Sequence, residues 1–494
     1  MTLEEKVGKL FSVPARSLTD DVIRHVRDNH VGGVIWFQST TEEATLGNAH
    51  LQSIAKEPLL ISADLEAGLG MRFTDATWWP PAMALAATGD PALAEEQARV
   101  TAVEARAIGI HHILAPVCDV NVDPRNPVIN TRSFGEDPHE VARYVESFVR
   151  GIESEGALAT AKHFPGHGDT HVDSHRSLPV LDASRERLEA VELVPFRAAI
   201  GAGVGSVMIG HLAVPALDPT PISVRSSFEN VWGTEHHEVT QRGTMPATLS
   251  KPVLDLLRRD LGFDGLIVSD AFDMGGLAAH FDPGEAAVRA LEAGEDQILY
   301  SADTDAAIAA VKVAVRSGRL PLSRIEESCE RVRRAASVTS DRPTQSRALR
   351  GITAMDVARR SITLVRDQRG LLPLTAASVA VRVFSDVPLD HALGALRAGC
   401  AIGQADVILL LLALRPQSGA GRIVVPEEAR RIAEQHPNKT IAISFGSPYV
   451  LHDLGDVSTF VCAWGVQPVL QIAAMEAIQG AFPMTGKMPV NTER

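Results

Sequence analysis

The segment Lys162–His175, KHFPGHGDTHVDSH, carries the densest chemistry in the chain. His163, His167, His171 and His175 recur every four residues, a spacing that on one helix face would stack metal ligands. Pro165, Gly166 and Gly168 argue against a regular helix, because proline lacks the amide donor and glycine costs backbone entropy. The segment is therefore read as a glycine-hinged loop with Asp173-x-His175 at its far end. A carboxylate beside an imidazole holds one tautomer and raises the imidazole pKa towards neutrality, the condition for general acid–base work. A surface pair with no chemical task would show the same two residues, so the decision rests on what else converges there.

Several apolar runs end in ionisable residues: Leu59–Asp64, Leu158–His163, Ser206–His211 and Leu266–Asp270. Val7–Val13, Val31–Phe37, Ile113–Val117 and Gln297–Tyr300 complete a set of eight. Such nearly continuous apolar stretches mark strands buried on both faces of a parallel sheet. Amphipathic segments lie between them, among them Pro91–Ile108, Glu140–Glu155, Arg185–Ala202, Lys251–Leu261 and Thr304–Ser317. An open doubly wound sheet uses the same local pattern. Eight strand–helix units suit a (β/α)8 barrel ending near Ala336 better. In that barrel, catalytic groups project from the C-terminal strand ends, so Asp64, Lys162 with His163, His211 and Asp270 share one face. Taken singly, Asp270 reads equally well as a helix N-cap. Four such endings on one face do not.

Beyond the barrel, Ser337–Ser346 is polar, carries a proline and reads as a linker. Ser361–Val365, Val379–Phe384, Asp406–Leu412, Thr440–Phe445 and Thr459–Ala463 then predict a smaller α/β sandwich domain. The division is a barrel over 1–336, a linker over 337–350 and a second domain over 351–494.

Composition limits the partners. The 494 residues include 47 Lys and Arg against 61 Asp and Glu, a formal charge of −14 that disfavours nucleic acid. No polybasic patch suits an anionic membrane. Cys118, Cys329, Cys400 and Cys462 lie too far apart for a disulfide framework or a zinc knuckle. The longest apolar run, Val407–Leu414, is far short of the roughly 20 residues that cross a bilayer. MTLEEKVGKLFSV has no positively charged stretch before an apolar one, so it does not read as a signal peptide and a cytoplasmic protein is expected.

KHFPGHGDT…DSH followed by GLIVSDAFDM resembles family 3 glycoside hydrolases, in particular the β-N-acetylglucosaminidases related to peptidoglycan-recycling enzymes. Ala63–Arg72 (ADLEAGLGMR) is similar to the family's early D-x-E-G-G motif, Arg132–Pro138 (RSFGEDP) to its R-S-F-G stretch, and Ala293–Leu299 (AGEDQIL) to its last barrel strand. ARRSITLVRD…LLPL and GKMPV are similar to the start and end of its C-terminal domain. The resemblance implies that Asp270 is a nucleophile forming a covalent glycosyl-enzyme and that His175 is the acid/base, oriented by Asp173. It implies that Asp64, Arg72, Arg132, Lys162 and His163 hold the terminal sugar, and His211 is placed with them as a substrate-binding residue. The expected partner is an oligosaccharide ending in N-acetylglucosamine, with no cofactor and no metal. Retaining hydrolysis ordinarily uses two carboxyl groups. A histidine in place of the second does not repel Asp270 and can deprotonate water, while Gly166 and Gly168 are read as letting the loop close over substrate.

Leu65, Ala67 and Leu69 depart from the recycling enzymes' usual Gln, Gly and Arg. The insertion Pro219–Thr244 follows a strand on the active face, where it builds either a subsite with Trp232 as a stacking ring or a plain surface loop. Trp78 and Trp79 read as packing residues. Other readings are a phosphorylase or a β-glucosidase on the same scaffold, a metal-dependent hydrolase using His163, His167 and His211, and a non-catalytic sugar-binding protein.

Overall fold

The computed structural model describes residues 1–225, 242–341, 351–395, 400–417 and 423–492. Eight parallel strands form the first sheet: β1 (Phe11–Ala15), β2 (Gly33–Trp36), β3 (Leu60–Ala63), β4 (His112–Ile113), β5 (Leu158–Phe164), β6 (Ser206–Ile209), β7 (Leu266–Ser269) and β8 (Ile298–Leu299). Their order is β8-β1-β2-β3-β4-β5-β6-β7, and a bridge between Val268 and Gln297 closes the ring. The expected barrel is present.

Both faces of each strand are buried, as the unbroken apolar runs require. Val34, Trp36, Ile61, Ala63, Val207 and Ile267 pack outwards under the helices. Ile35, Leu60, Leu158, Met208, Leu266, Val268 and Leu299 fill the ring from inside. Each such aliphatic burial contributes about 1.5–3 kcal/mol. At the bottom, Val332, Ala335 and Ala336 of the helix Leu322–Asp341 join that inner cluster and plug the ring. The helix therefore covers the beginning of the stretch read as a linker. Its sequence turns polar because only one face meets the barrel.

Local rules explain the other boundary shifts. Thr2 and Glu5 form a reciprocal cap that pulls Leu3–Gly8 into a helix, so the first strand starts at Phe11 rather than Val7. The segment read as one helix from Arg185 is two, Arg185–Ala190 and Leu193–Gly201. Pro195 lacks the amide that would extend the first into the second. Asp90 and Asp137 cap the helices Pro91–Ala107 and Pro138–Ser154, each with proline at the first position.

The second sheet holds β9 (Thr363–Asp367), β10 (Val379–Ser385), β11 (Val407–Ala413), β12 (Thr440–Ser444) and β13 (Thr459–Cys462), in the order β9-β13-β12-β11-β10. Only the β9–β13 pairing is antiparallel. GKMPV is a strap between the domains. Gly486 N donates to Ile362 O, Lys487 N to Ala87 O at 2.8 Å, and Pro489 O accepts from Glu136 N. Asn121 Nδ2 donates to the Tyr449 hydroxyl at 2.9 Å and Asn130 Nδ2 to Ser447 Oγ at 3.1 Å. Among the described residues no helix is long and apolar enough to cross a membrane, and the four cysteines are free.

Candidate active site

A cleft of 520 Å³ opens at the C-terminal ends of the barrel strands, floored by Ile35, Leu114, Met208 and Leu299. One wall is ionic. Asp64 follows β3, and the turn Leu69–Met71 brings Arg72 back so that Nη2 lies 2.5 Å from Asp64 Oδ2. Lys162, near the end of β5, places Nζ 2.7 Å from both Asp64 Oδ1 and Glu66 Oε1. Arg132 clasps Glu66 in bidentate fashion at 2.7 and 2.9 Å. Burial alone would raise both carboxyls. Lys162 and Arg72 outweigh it at Asp64, and Arg132 and Lys162 do so at Glu66, so both stay well below the ordinary carboxylate range.

Behind this wall, Asp119 accepts from His163 Nδ1 at 2.8 Å and from the backbone amides of His163 and His167. With Nδ1–H committed to Asp119, His163 turns Nε2 towards the cleft. His167 is buried, bonded through Nδ1 to the Thr170 hydroxyl at 2.8 Å, and burial pushes its pKa down to about 4. Among the described residues no group of three or more His, Cys, Asp or Glu side chains is disposed to hold a metal ion.

Asp173 Oδ1 accepts from both His175 Nδ1 and His175 N at 2.9 Å. The imidazole is thereby oriented with Nδ1 towards Asp173, and His175 lines the same cleft as Asp270. Burial opposes ionisation of Asp270, but His163, His211, the Ala271 amide and His175 outweigh it and hold the carboxyl below its ordinary range. The Ala271 amide donates to Asp270 Oδ1 at 2.8 Å. The cleft thus presents an ionised carboxylate and an oriented imidazole to one space.

Residues 2–335 match the N-terminal domain of glycosyl hydrolase family 3. The chain belongs to that family. It is 32% identical to a beta-N-acetylglucosaminidase/beta-glucosidase of Cellulomonas fimi, with 99% of this chain and 93% of that protein covered. Beta-hexosaminidase A of Pseudoalteromonas piscicida is 31% identical over 88% of this chain and 82% of its own length. Among solved structures, a family 3 beta-N-acetylglucosaminidase from Paenibacillus sp. str. FPU-7 superposes with a TM-score of 0.84 at 31% identity, covering 100% of this chain and 99% of that one. The protein is a glycoside hydrolase.

Within this family 3 enzyme, Asp64, Arg72, Arg132, Lys162, His163, His175 and Asp270 all line the cleft. Asp173 stands behind His175. His211 does not reach the cleft. It is fully buried, with Nδ1 at 3.0 Å from the Thr248 hydroxyl and Nε2–H donating to Ala271 O at 2.9 Å. Its contact is with the loop that carries Asp270, and it is not among the residues that line the cleft. Gly168 is no free hinge either, because an added Cβ would lie 1.8 Å from Val120 O. Glycine is required there by close approach. Leu65, Ala67 and Leu69 are buried in or beside the core, so the altered early motif changes packing between the polar residues Asp64, Glu66 and Arg72. Trp79 is buried and Trp78 packs against the second domain's core. Trp232 lies outside the described residues.

Sequence reading passed over Glu66, Asp119, Asp273, Tyr300, Arg16 and Arg415. Glu66 and Asp273 sit inside motifs already singled out, two and three residues from Asp64 and Asp270. Asp273 is buried at the cleft, with Oδ1 unpartnered among the described residues, and burial pushes its carboxyl up to about 6. Arg415, Pro416 and Gln417 reach the cleft from the second domain, a contact that local pattern cannot reveal.

Proposed function

We propose that the enzyme is a retaining exo-β-N-acetylglucosaminidase, acting on N-acetylglucosamine-terminated oligosaccharides such as peptidoglycan fragments or chitooligosaccharides. The observation that carries this reading is the Asp173–His175 pair facing the same cleft as Asp270. The relatives named beta-N-acetylglucosaminidase and beta-hexosaminidase support the choice of sugar. Asp64, Arg72, Arg132, Lys162 and His163 hold the terminal sugar, and the interlocked charges on that wall fix its hydroxyl groups before reaction.

In the first step an Asp270 oxygen attacks the anomeric carbon while the glycosidic C–O bond breaks. The leaving oxygen takes the Nε2 proton of protonated His175, whose positive charge the Asp173 carboxylate stabilises. In the second step neutral His175 removes a proton from water. The water oxygen bonds to the anomeric carbon and Asp270 departs as carboxylate, which restores the starting charges. An acid/base that is neutral after the first step suits this cycle, since His175 loses its positive charge as Asp270 loses its negative one, and both are restored in the second step.

Incubation with a fluorinated N-acetylglucosaminyl probe, followed by peptide mass spectrometry, is expected to label Asp270, and a label on another residue refutes the assignment. In phosphate buffer the product is expected to be free N-acetylglucosamine, not its 1-phosphate. Asp270→Ala is expected to lose about 10⁴-fold or more in kcat; retention of a tenth of the rate would rule out a nucleophile at this position.

A further inference from the structure

Beneath the floor of the cleft the barrel interior turns polar. Ile35, Leu114, Met208 and Leu299 make that floor, on β2, β4, β6 and β8. Side chains two residues apart on a strand share a face, so Gly33, His112, Ser206 and Gln297 lie next below on the same strands. Strand register sets a second polar layer beside them, with Ser12 paired to Gly33, Ser62 to His112, Thr160 to Ser206 and Val268 to Gln297. Leu60, Leu158 and Leu266 follow underneath, in one cluster with Val332 and Ala335 of the plug helix. Barrel layers are ordinarily filled by bulky branched side chains. Here glycine, three serines and a threonine take five of eight positions, so these two layers hold less side-chain volume than the aliphatic ones above and below.

The polar atoms are enclosed and largely unanswered. Ser12, His112, Ser206 and Gln297 are each 2% exposed or less. His112 Nε2 meets the Thr160 hydroxyl at 2.7 Å. His112 Nδ1, Ser12 Oγ, Ser206 Oγ and Gln297 Nε2 have no hydrogen-bond partner among the described residues. Ser12 and Gln297 converge at Gly33, where an added Cβ would lie 3.0 Å from Ser12 Oγ and 3.2 Å from Gln297 Nε2. Two residues before Gln297, Glu295 is fully buried and neither of its carboxyl oxygens has a partner among the described residues. Burial, with Asp296 and Asp270 adding to it, pushes this acid well above the ordinary carboxylate range. Burial pushes the His112 imidazole down to about 3. Both groups are uncharged at neutral pH, so nothing in this interior calls for a counter-ion.

We propose that this part of the barrel is an enclosed hydration site, which holds a cluster of ordered waters between the cleft floor and the plug helix. Buried polar groups without a protein partner are ordinarily satisfied by water. The chemistry also selects it. Gln297 Nε2 can only donate, the serine hydroxyls donate or accept, and a protonated Glu295 does both. A cation would face the Gln297 donor, and an anion would face the Glu295 carbonyl oxygen. The floor separates these waters from the water that His175 activates, so they exchange only when the barrel or its plug opens.

A high-resolution crystal structure of the full chain is expected to show waters within about 3 Å of Ser12 Oγ, Ser206 Oγ or Gln297 Nε2. In solution, magnetic relaxation dispersion of the water oxygen is expected to count fewer long-lived waters in Ser206→Val than in the wild type. Two methyl groups then replace a water and a hydroxyl, and the melting temperature is expected to stay within about 4 °C of the wild type. Ser206→Ala, which adds no bulk, serves as the second variant should valine prevent folding, and is expected to lower the count as well. A dry interior in the crystal, or a count that falls in neither variant, overturns the proposal. So does an anomalous peak there in crystals soaked in rubidium chloride, which would mark a cation site. The hydrolase reading stands under every one of these results, because no group of this interior meets substrate.

Discussion

On the β3–β5 wall of the cleft, Asp64, Glu66, Arg72, Arg132 and Lys162 pair their charges with one another and leave only Arg72 Nε without a hydrogen bond among the described residues, whereas on the β7–β2 wall Arg16 has no ion pair and Asp273 Oδ1 no hydrogen bond among the described residues. The first set is buried or half-buried, where a lone charge is costly, and its mutual pairing offsets that cost. Such a network adds little net stability over apolar packing. It does hold five side chains in fixed directions, so a sugar meets an arrangement that needs no rearrangement. The second wall keeps its polar capacity for a partner outside the protein. A site that must recognise one constant sugar and a variable leaving group is well served by that division.

Breaking the first wall at its acids is expected to have the largest effect. The double variant Asp64→Asn/Glu66→Gln leaves Lys162, Arg72 and Arg132 without their counter-charges, at a cost of about 3–5 kcal/mol in urea unfolding at pH 7. Both carboxyls titrate below their ordinary range. Their stabilisation is therefore complete above the unfolded values of about 4 and is lost only as pH falls below them towards the folded values. The gap between wild type and variant should stay constant from pH 8 to 5 and narrow in stronger acid. A gap that closes between pH 7 and 5 contradicts the network.

Lys162→Ala tests the same wall through activity. Among the described residues Lys162 is the one cation bonded to both Asp64 and Glu66, so its loss loosens the cradle at its centre. A fall of about 100-fold in kcat/KM is expected, the scale of a lost charged hydrogen bond in a closed site. A fall below threefold would show that the cradle does not position the sugar.

How far these walls are legible in sequence differs in the same way. Asp64 and Asp270 directly follow β3 and β7, and Lys162 lies near the end of β5; their apolar runs stop abruptly at charged residues, which periodicity and strand direction reveal. The acceptors behind them are harder to find. Asp119 lies 44 residues from His163 in the chain and meets it only because β4 and β5 are neighbours. Arg16, Phe37 and Tyr300 come from three separate strand ends, and Arg415 from another domain, so no spacing connects them. The helix Leu322–Asp341 was obscured for a related reason. Among the described residues its buried face runs Ile325, Ser328, Cys329, Val332, Ala335 and Ala336, where small and polar side chains weaken the apolar stripe ahead of the polar end. His211 illustrates the opposite error: its place after β6 is as expected, but position in sequence does not tell whether a ring faces the cleft or the loop beneath it.

The second wall is sharpened by Asp273→Asn. Burial raises this carboxyl to about 6, with Asp270 adding to the rise and His175 opposing it. A raised acid destabilises the folded protein wherever it must ionise, so the penalty is complete above pH 6, declines as pH falls through 6, and is gone near 4. The amide is expected to stabilise the protein by about 2 kcal/mol at pH 8 and by almost nothing at pH 4. Equal stability of the two proteins at pH 8 would mean that Asp273 already has a partner.

The smallest expected effect concerns the connection between the walls. The loop that leaves β5 with the ionic wall ends at His175, and two backbone hydrogen bonds fasten it to the loop that leaves β7: Gly275 N to His175 O at 2.8 Å and Gly276 N to Ser174 O at 2.9 Å. A Cβ on Gly276 would lie 2.9 Å from Ser174 O and 3.1 Å from Ser177 O. Both neighbours are backbone, so they yield only if the His175 loop itself moves outwards. Gly276→Ala should then displace the imidazole by a few tenths of an ångström while the ionic cradle and Asp270 stay in place, and a kcat reduced about tenfold with KM little changed is expected. A leaving group that needs no proton, such as a dinitrophenolate, should recover most of the lost rate of the first step, because only protonation by His175 has been impaired. Equal loss on that substrate, with glycosyl-enzyme formation followed directly, would show that the alanine had disturbed Asp270 instead, and that the two walls are held together by more than this pair of hydrogen bonds.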